Sequence, residues 1–307
     1  MRRVLIAATL AMAACEATPA RTEPTVAPPG DLPAFFDCLR EQGLAAVSAH
    51  RGGPAPGYAE NAIPTFEHTR SVAPGVFLEV DVSETADGVL VLMHDDRAER
   101  TTTGSGAIEA LDMEQLLAFQ LEDERGRPVD ARVPTLAEAL EWADGRAVLE
   151  LDIKRGVAYE DVIRAVDAAG AMGRVVFVTY SVDGAARLAR LAPQAIIYTT
   201  ISDARELAAL ERRGVELNRV VAWVGSDAPP AALVEALAAR SVETRFGMFG
   251  EERDYSHAAR SGAQIIAVDD PAEAVRDLGP ADDDGGYVGG QCAGDPGHTS
   301  GQNGAAQ

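Results

Sequence analysis

Lysine is almost absent from this sequence of 307 residues. Lys154 is the only one, so every other residue in the Lys+Arg total of 27 is arginine, against 48 Asp and Glu. The formal net charge is −21, and no long run of basic residues occurs. Nucleic acids and anionic membrane surfaces are bound through clustered Lys and Arg. The composition therefore argues against nucleic-acid binding, and an anionic substrate would have to be drawn in by a metal ion or a few placed cations.

The apolar run at the N-terminus is too short to cross a bilayer. Residues 4–14 follow two arginines and have the length of a signal-peptide core. They end in Met-Ala-Ala-Cys at 12–15, which resembles the lipobox of bacterial lipoproteins, where the cysteine is lipidated. We therefore expect residues 1–15 to be a lipoprotein-type signal segment. The mature protein would be exported, periplasmic or at the cell surface, and attached to the membrane only through a lipid anchor at Cys15. An ordinary secretory signal cut nearby is the alternative.

Cysteine is also scarce, and only Cys38 and Cys292 remain once Cys15 is set aside. In an oxidising compartment the two could form a disulfide that pins the C-terminal tail near the first strand. They could equally be free thiols, because their spacing carries no signature. Residues 281–307 are polar and glycine-rich, and we expect this tail to be disordered. Residues 16–30 are rich in Pro, Thr and Ala, and we expect them to form a flexible linker.

Short β-rich runs alternate with helical runs between these two ends. The runs typical of strands are 45–50, 76–82, 147–153, 175–180, 195–199, 219–224, 243–249 and 264–268; those typical of helices are 62–71, 135–143, 159–170, 183–191, 203–212, 230–239 and 254–261. Eight strands in βα alternation are typical of a (β/α)8 TIM barrel. A doubly wound sheet would also alternate, but it places a glycine-rich phosphate loop after its first strand, and none is found there. We therefore predict an α/β TIM barrel over residues 31–280.

One segment breaks this alternation. Residues 89–94 form another strand-like run directly after the second predicted strand, too close for a crossover helix, so the two must be antiparallel. Asp87-Gly88 between them is a strong signal for a two-residue hairpin turn. A turn centred there sets residue 81 opposite residue 94, which places His94 beside Asp81 at the mouth of the barrel. Residues 95–133 follow as an irregular excursion, and we interpret them as a capping insertion at that C-terminal mouth.

Acidic residues recur near the C-terminal ends of the predicted strands, where TIM-barrel enzymes place their active sites. Glu79 and Asp81 are two residues apart in one strand, and Glu150, Asp152 and Lys154 are spaced in the same way in the next, so each set shares a face. Several carboxylates facing one cavity need a counter-charge, and oxygen ligands suit Mg²⁺ or Ca²⁺. We predict one divalent metal, Mg or Ca. Pairing with arginine is the alternative, and it is stronger for Glu150, which lies deeper.

Two histidines are predicted at the same mouth. His50 ends the first strand and His94 ends the hairpin, so a pair of general acid and base groups could stand beside the metal. Arg51 could clamp a phosphate oxygen or form a salt bridge at the rim. The loop that follows offers Glu60 and Asn61, and the last strand ends in Asp269-Asp270-Pro271.

These residues resemble a known family. The strings SAHRGG, AEN, FLEVDVSETADGVLVLMHDD, RTTTGSGAI and LELDIK are similar to the motifs of the glycerophosphodiester phosphodiesterases. The family pattern runs His-Arg-Gly, Pro-Glu-Asn ten residues on, Glu-x-Asp-Val, Asp-Gly, His-Asp, Arg-Thr-Thr and Glu-Ile-Lys. The match is strong over residues 45–155 and looser up to IIAVDDP in the last strand. The resemblance implies a metal-dependent (β/α)8 barrel that hydrolyses glycerophosphodiesters to glycerol phosphate and an alcohol.

The resemblance also implies catalytic and phosphate-binding roles. His50 and His94 correspond to the acid/base pair of the family. Arg51 and Lys154 would contact the phosphate of a small-molecule glycerophosphodiester. The family's Trp-Thr-Val-Asn stretch is replaced here by FGMF at 246–249, where the alcohol part of the substrate could pack, so this change concerns specificity more than reaction type.

The metal ligands implied by the resemblance are Glu79, Asp81 and the acid of the Glu-Ile-Lys motif. That acid is Asp152 here, which is one methylene shorter than the family's glutamate. Glu150 is therefore the alternative third ligand, and Glu60 could assist the metal or the substrate.

Two other functions are compatible with the sequence. A phospholipase D-like enzyme acting on lysophospholipid or sphingomyelin headgroups would need an apolar landing surface near the mouth. The insertion offers five apolar residues that would also suit a packed helix: Leu111, Leu116, Leu117, Phe119 and Leu121. A catalytically inactive surface binding lipoprotein is the second alternative, and the intact histidines and acids argue against it.

Overall fold

The computed structural model describes residues 28–226, 229–250, 253–279 and Cys292. The strands are β1 Ala46–Ala49, β2 Phe77–Glu84, β3 Leu90–Leu92, β4 Leu149–Ile153, β5 Val175–Val178, β6 Ile196–Thr200, β7 Val220–Trp223, β8 Glu243–Met248 and β9 Ile265–Val268. The helices are α1 Leu32–Gln42, α2 Ile63–Val72, α3 Met113–Leu117, α4 Leu136–Trp142, α5 Tyr159–Ala168, α6 Val182–Leu191, α7 Ala204–Arg212, α8 Ala231–Ala238, α9 Tyr255–Arg260 and α10 Pro271–Leu278. The predicted signal segment 1–15, most of the linker 16–30 and the tail 281–307 apart from Cys292 lie outside the described residues.

Eight parallel strands form a closed barrel with helices between them, so the predicted (β/α)8 fold is confirmed. Around the ring the order is β1-β9-β8-β7-β6-β5-β4-β2, and pairing of β1 with β2 closes it. β3 is antiparallel to β2 and stands outside the ring. The strands β1, β4 and β9 are buried along their whole length, because helices cover one face of the sheet and the barrel interior covers the other.

The helices form for local reasons that the sequence already contains. In α5, Val162, Ile163 and Val166 are buried while charged residues occupy the opposite face, which is the pattern of an amphipathic helix. At the start of α4, Thr135 and Glu138 each bond the other's backbone N–H in a capping box. Such caps fix where each crossover begins and therefore where the preceding loop reaches the mouth.

The predicted hairpin forms, but its register differs by one residue. Val82 pairs with Leu92, so Asp81 lies opposite Met93, whose N–H donates to the Asp81 carbonyl at 2.9 Å. The predicted pairing of Asp81 with His94 is therefore wrong, and His94 is the next residue along.

The turn explains the difference, because it contains three residues instead of two. Thr85 pairs with Val89, and the N–H of Gly88 donates to the carbonyl of Thr85 at 3.0 Å. Gly88 has a φ of 79°, so the loop is a type I turn followed by a left-handed residue, the usual three-residue hairpin. Asp87 stabilises it by accepting from the Thr85 hydroxyl at 2.6 Å.

The insertion at 95–133 has a small core of its own. Ile108, Leu116 and Leu121 are buried there against Val91 and Met93 from the hairpin. Of the five apolar residues considered as a landing surface, Leu117 alone belongs to the exposed large hydrophobic residues, at 46% exposure. The others pack inward, so the insertion is a folded part of the mouth and does not present an apolar face.

Helix α1, which the sequence analysis did not predict, closes the N-terminal end of the barrel. Its rings Phe35 and Phe36 lie 5.6 and 6.1 Å from the ring of Phe77, the first residue of β2. On this helix Cys38 forms a disulfide with Cys292, with 5.7 Å between their Cα atoms. The disulfide is therefore the alternative that the structure adopts.

Helix α10 was not predicted either, although Asp270 caps it by accepting from the Glu273 N–H. Among the described residues, no helix has both the length and the apolarity to span a bilayer.

Candidate active site

The turn after β1 presents His50 and Arg51 at the mouth of the barrel. Arg51, Gly52 and Gly53 have φ values of 52°, 79° and 81°. A Cβ atom at Gly52 would collide with the ring of Phe66, so both the backbone conformation and the packing require glycine there. This left-handed turn directs the N–H of Arg51 to Oε2 of Glu79 at 2.7 Å.

Three carboxylates converge inside the mouth. Glu79, Asp81 and Asp152 each offer an oxygen within 4.8 Å of the others, and all three residues are buried. They meet because β2 and β4 are neighbours, with Asp81 directly beside Asp152 in the parallel register. We call these three residues the acid cluster.

Polar neighbours hold the acid cluster in place. Lys154 Nζ lies 2.6 Å from Asp81 Oδ1 and 2.7 Å from Asp152 Oδ2. The Asn61 side chain donates to Asp81 Oδ2 at 2.7 Å and accepts from the Asp81 N–H at 2.9 Å. The Tyr180 hydroxyl donates to Asp152 Oδ1. The single lysine of the chain is thus shared between two members of the cluster.

The acid cluster holds more negative charge than its neighbours offset. Burial raises the pKa of Glu79 well above its ordinary value, and the charges of Asp81 and Asp152 raise it further. A buried group of like charges is stabilised when a cation enters. The donor atoms are all carboxylate oxygens, which suits a hard divalent ion such as Mg²⁺ or Ca²⁺. The residues present therefore fit a divalent metal.

Glu150, the alternative ligand, lies elsewhere. Its Oε2 is 2.7 Å from Arg245 Nη2 and also accepts from Ser48 Oγ at 2.7 Å, while its Oε1 accepts from Tyr198 at 3.1 Å. These four residues come from alternate strands around the ring and form one layer of the barrel interior. We call them the lower layer. With its oxygens engaged there, Glu150 is not part of the acid cluster.

Each predicted catalytic histidine is held by an aspartate. His50 Nδ1 lies 2.9 Å from Asp269 Oδ1, and His94 Nδ1 lies 2.6 Å from Asp95 Oδ1. The hydrogen bond of His50 lowers the pKa of Asp269, although its partial burial opposes this. A carboxylate on Nδ1 fixes the ring and leaves Nε2 available for a substrate.

Arg51 and Glu60 form an ion pair at the rim. Arg51 Nη1 lies 3.0 Å from Glu60 Oε2, and Arg51 Nε lies 4.0 Å from Asp81 Oδ2. Glu60 also pairs with Arg100 from the insertion at 2.8 Å. It is therefore separate from the acid cluster, and the predicted salt bridge of Arg51 is present beside the site.

Two cavities share His50 as a lining residue. One, of about 230 Å³, is walled by Tyr180, Trp223 and Phe249 and reaches Glu79 and Asp152. The other, of about 350 Å³, lies between the β1 turn and the insertion and is lined by polar residues such as Arg51, Glu60 and Glu122. A larger cavity of about 600 Å³ lies against β8 and α9; it is lined by Phe246 and Met248 of the FGMF stretch and by none of the predicted catalytic, phosphate-binding or metal-ligating residues.

Several residues of the site were not identified from the sequence. Asp95 follows His94 directly in the HDD string, so its position was a usable signal. Arg245 is a charged residue at an inward position of an apolar strand, which was a weaker one. Tyr180 gave none, because an aromatic residue at a strand end is common.

The chain matches known proteins over most of the barrel. Residues 50–267 match the model of the glycerophosphoryl diester phosphodiesterase family. A glycerophosphodiester phosphodiesterase of Caldanaerobacter subterraneus subsp. tengcongensis is 30% identical over 143 residues, which are 44% of this chain and 58% of that protein. An uncharacterised protein of Bacillus subtilis is 30% identical over 158 residues, or 49% of this chain and 64% of that protein. The chain thus spans less than two thirds of either relative.

Solved structures share the fold over a larger part of the chain. A glycerophosphoryl diester phosphodiesterase from Parabacteroides distasonis has a TM-score of 0.76 at 27% identity, covering 85% of this chain and 96% of that one. A phosphodiesterase from Oleispira antarctica, solved in complex with its product sn-glycerol-3-phosphate, has a TM-score of 0.61 at 22% identity, covering 78% of this chain and 98% of that one. The second likeness concerns the fold alone.

Proposed function

We propose that this chain, which belongs to the glycerophosphoryl diester phosphodiesterase family, hydrolyses glycerophosphodiesters to glycerol phosphate and an alcohol. The observation that carries the proposal is the placement of the acid cluster beside two aspartate-held histidines at one mouth of the barrel. Phosphodiester hydrolysis needs charge neutralisation at the phosphate and proton transfer at two oxygens, and this arrangement offers groups for both.

The acid cluster would hold one divalent metal, Mg or Ca, through Glu79, Asp81 and Asp152. When bound, the ion supplies positive charge next to the phosphate oxygens. Lys154 stays beside two of these carboxylates and presents its ammonium group to one phosphate oxygen. Arg51, held by Glu60, binds a second phosphate oxygen from the rim with its planar guanidinium.

The two histidines would move the protons. One accepts the proton of the attacking oxygen through Nε2, and the other donates a proton to the oxygen of the departing alcohol. Asp269 and Asp95 keep the rings oriented and stabilise whichever ring is charged. General acid and base groups of this kind typically contribute about 10²–10⁴-fold to the rate.

We also propose that the enzyme is exported and attached to the membrane through a lipid at Cys15. The disulfide between Cys38 and Cys292 supports this, because structural disulfides persist mainly in oxidising compartments. Cys15→Ser in the full chain is expected to move the protein from the membrane fraction to the soluble fraction. An unchanged distribution of the variant would contradict the anchor.

Neither alternative function is favoured by a specific observation. An enzyme acting at a lipid surface would use exposed apolar residues near the mouth, and in the insertion most of these pack into its own core. A binding protein without catalysis has no use for two oriented histidines. Both alternatives remain as outcomes of the assay below.

The test is a turnover assay of the mature chain on glycerophosphocholine and lysophosphatidylcholine, with Mg²⁺, with Ca²⁺ and with EDTA. We expect glycerol phosphate from the first substrate, loss of turnover in EDTA and a loss of about 10²–10⁴-fold in His94→Ala. His257→Ala, which changes a histidine of α9 that lines neither of the cavities at His50, is the matched control.

The possible results separate the hypotheses. Activity that survives both EDTA and His94→Ala would contradict the mechanism. Preference for lysophosphatidylcholine would favour the phospholipase D-like enzyme, and no turnover of any diester would favour the binding protein.

A further inference from the structure

Arg100 is the point at which the insertion meets both sides of the catalytic centre. It ends a short 3₁₀ turn, Ala98–Arg100, whose backbone is fixed by the Ala98 N–H donating to the Gly106 carbonyl at 3.0 Å. The next residue, Thr101, is buried and bonded through its carbonyl to the Glu122 N–H at 2.8 Å. The side chain of Arg100 therefore projects into the mouth from a rigid base.

On one side, Arg100 holds the partner of His94. Its Nε lies 2.5 Å from Asp95 Oδ2, and its Nη2 lies 2.9 Å from Asp95 Oδ1, a bidentate contact. The second of these oxygens is the one that contacts His94 Nδ1 at 2.6 Å. Hydrogen bonding from Arg100 lowers the pKa of Asp95 strongly, so Asp95 faces His94 as a carboxylate at any pH at which a histidine titrates.

On the other side, Arg100 holds the partner of Arg51. Its Nη1 and Nη2 lie 2.9 and 2.8 Å from the two oxygens of Glu60. One of those oxygens also accepts from Arg51 Nη1 at 3.0 Å. Burial by itself would raise the pKa of Glu60, but the hydrogen bonds and charges of the two arginines outweigh it and lower this pKa.

Four hydrogen bonds to two carboxylates need the fork of a guanidinium. Arginine offers five N–H donors in one plane, whereas the three donors of lysine leave a single nitrogen. Bidentate contact with Asp95 and Glu60 together is therefore specific for arginine. Arg100 is therefore the residue that connects the His94–Asp95 pair to the Glu60–Arg51 pair.

We propose that Arg100 is a positioning residue, which orients the His94 ring through Asp95 and the Arg51 guanidinium through Glu60 towards one substrate phosphate. The inference rests on the proposed function and adds a residue to it. It also assigns a function to the insertion, because Arg100 belongs to it and connects the proton-transfer group His94 to the phosphate-binding group Arg51.

A positioning role for Arg100 and a purely structural one are distinguished by comparing stability with turnover. Its side chain is 47% exposed, and exposed ion pairs contribute little to the free energy of unfolding. Arg100→Met should therefore leave the melting temperature nearly unchanged. A displacement of a catalytic group by about 1 Å can lower turnover about 10²-fold, so a positioning role is visible in kcat and not in stability.

The experiment compares Arg100→Met, Arg100→Lys, Asp95→Asn and the Arg100→Met/Asp95→Asn double variant on glycerophosphocholine at saturating metal. Arg97→Met is the matched control, because Arg97 is 62% exposed and pairs with Glu99 away from the catalytic groups. We expect kcat to fall about 10²-fold in Arg100→Met, with a smaller change in KM. Arg100→Lys should keep less than about a tenth of kcat, and Arg97→Met should match the wild type.

The double variant tests whether Arg100 acts through Asp95. If it does, the two losses overlap, and the double variant loses less activity than the product of the two single losses. Losses that multiply would overturn the proposal, as would a wild-type kcat in Arg100→Met. Should Arg100→Met fail to fold, Arg100→Lys decides by the same criterion. An inactive wild type overturns the proposed function and this role together, whereas an active wild type with an equally active Arg100→Met overturns only the role.

Discussion

The barrel interior contains two groups of charged residues that are two positions apart on β4 but are balanced in different ways. In the lower layer, Glu150 has an arginine of its own at 2.7 Å, and Ser48 and Tyr198 complete its hydrogen bonds. In the acid cluster, one lysine contacts two of three carboxylates, and Arg51 Nε reaches Asp81 only at 4.0 Å. In the lower layer the charges of Glu150 and Arg245 cancel, whereas the acid cluster has oxygens and negative charge left for a further cation.

This difference shows how one strand supports both stability and chemistry. A buried charge with its partner in place is part of the core, and removing one member leaves the other uncompensated. Like charges that lack enough partners cost stability in the absence of a ligand, which is common at functional sites. The variants below test whether the two groups differ in this way.

The largest effect is expected from Glu79→Gln in the acid cluster. Loss of a metal ligand should lower kcat/KM about 10³-fold, because a bound metal contributes several kcal/mol to transition-state stabilisation. The free energy of unfolding in EDTA should not fall, since a buried like charge is removed. Steady-state kinetics and urea unfolding measure the two quantities. Glu84→Gln on the same strand is the control, and wild-type kcat/KM in Glu79→Gln would remove Glu79 from the metal site.

The opposite result is expected from Arg245→Met in the lower layer. It leaves Glu150 buried and unpaired, so the free energy of unfolding should fall by about 3–5 kcal/mol in urea. Arg245→Met combined with Glu150→Gln should recover most of this loss, because the amide is neutral, its oxygen can accept from one of the Ser48 and Tyr198 hydroxyls, and its NH2 can donate to the other. If the single variant were as stable as the wild type, the ion pair between Arg245 and Glu150 would not stabilise the fold.

A smaller effect is expected from Lys154→Arg, which would introduce the residue found at every other Lys/Arg position of the chain. The ammonium lies between Asp81 and Asp152 at 2.6 and 2.7 Å, where a planar guanidinium does not fit equally. We expect kcat/KM to fall about 10-fold or more. Arg155→Lys, the reverse change at the exposed next position, is the control. Turnover near that of the wild type would show that Lys154 has no special role.

The smallest effect concerns Glu243, at the N-terminal end of the barrel interior. Burial raises its pKa to about 7, although the nearby Arg40 opposes this. A raised carboxyl pKa means that the folded state binds the proton more tightly than the unfolded state. This contribution is present below about pH 4.5 and is lost as pH rises towards 7.

Glu243→Gln should remove the loss of stability that Glu243 causes as pH rises. Between pH 4.5 and pH 7, the stability of the wild type relative to the variant is expected to fall by on the order of 2 kcal/mol. Urea unfolding at several pH values measures the difference. Glu216→Gln, whose side chain is 70% exposed, is the control, and parallel curves for the wild type and Glu243→Gln would contradict the shift.

Much of the fold could be predicted because its signals are local. The alternation of short β-rich runs with helical runs identified eight strands and most helices, and short motifs identified the family. Helix α1 was missed although Asp31 and Gly43 cap it, because it precedes the first strand and so lies outside the βα alternation. The hairpin register was wrong by one residue because Asp87-Gly88 fits both a two-residue and a three-residue turn. The sequence could not decide whether Cys38 and Cys292 form a disulfide, because only the fold shows that the two lie close together.

By itself the sequence determined the barrel, the family and the face of the strand on which each acid lies. Alternation along a strand places Glu150 and Asp152 on the same inward face, so no local rule can separate their roles. Only the tertiary structure decided between them. Closure of the ring brings Arg245 to Glu150 from 95 residues away, whereas Glu79 and Asp81 meet Asp152 from the neighbouring strand. A charged residue's surroundings depend on what faces it across the barrel, and that is set by how the chain closes.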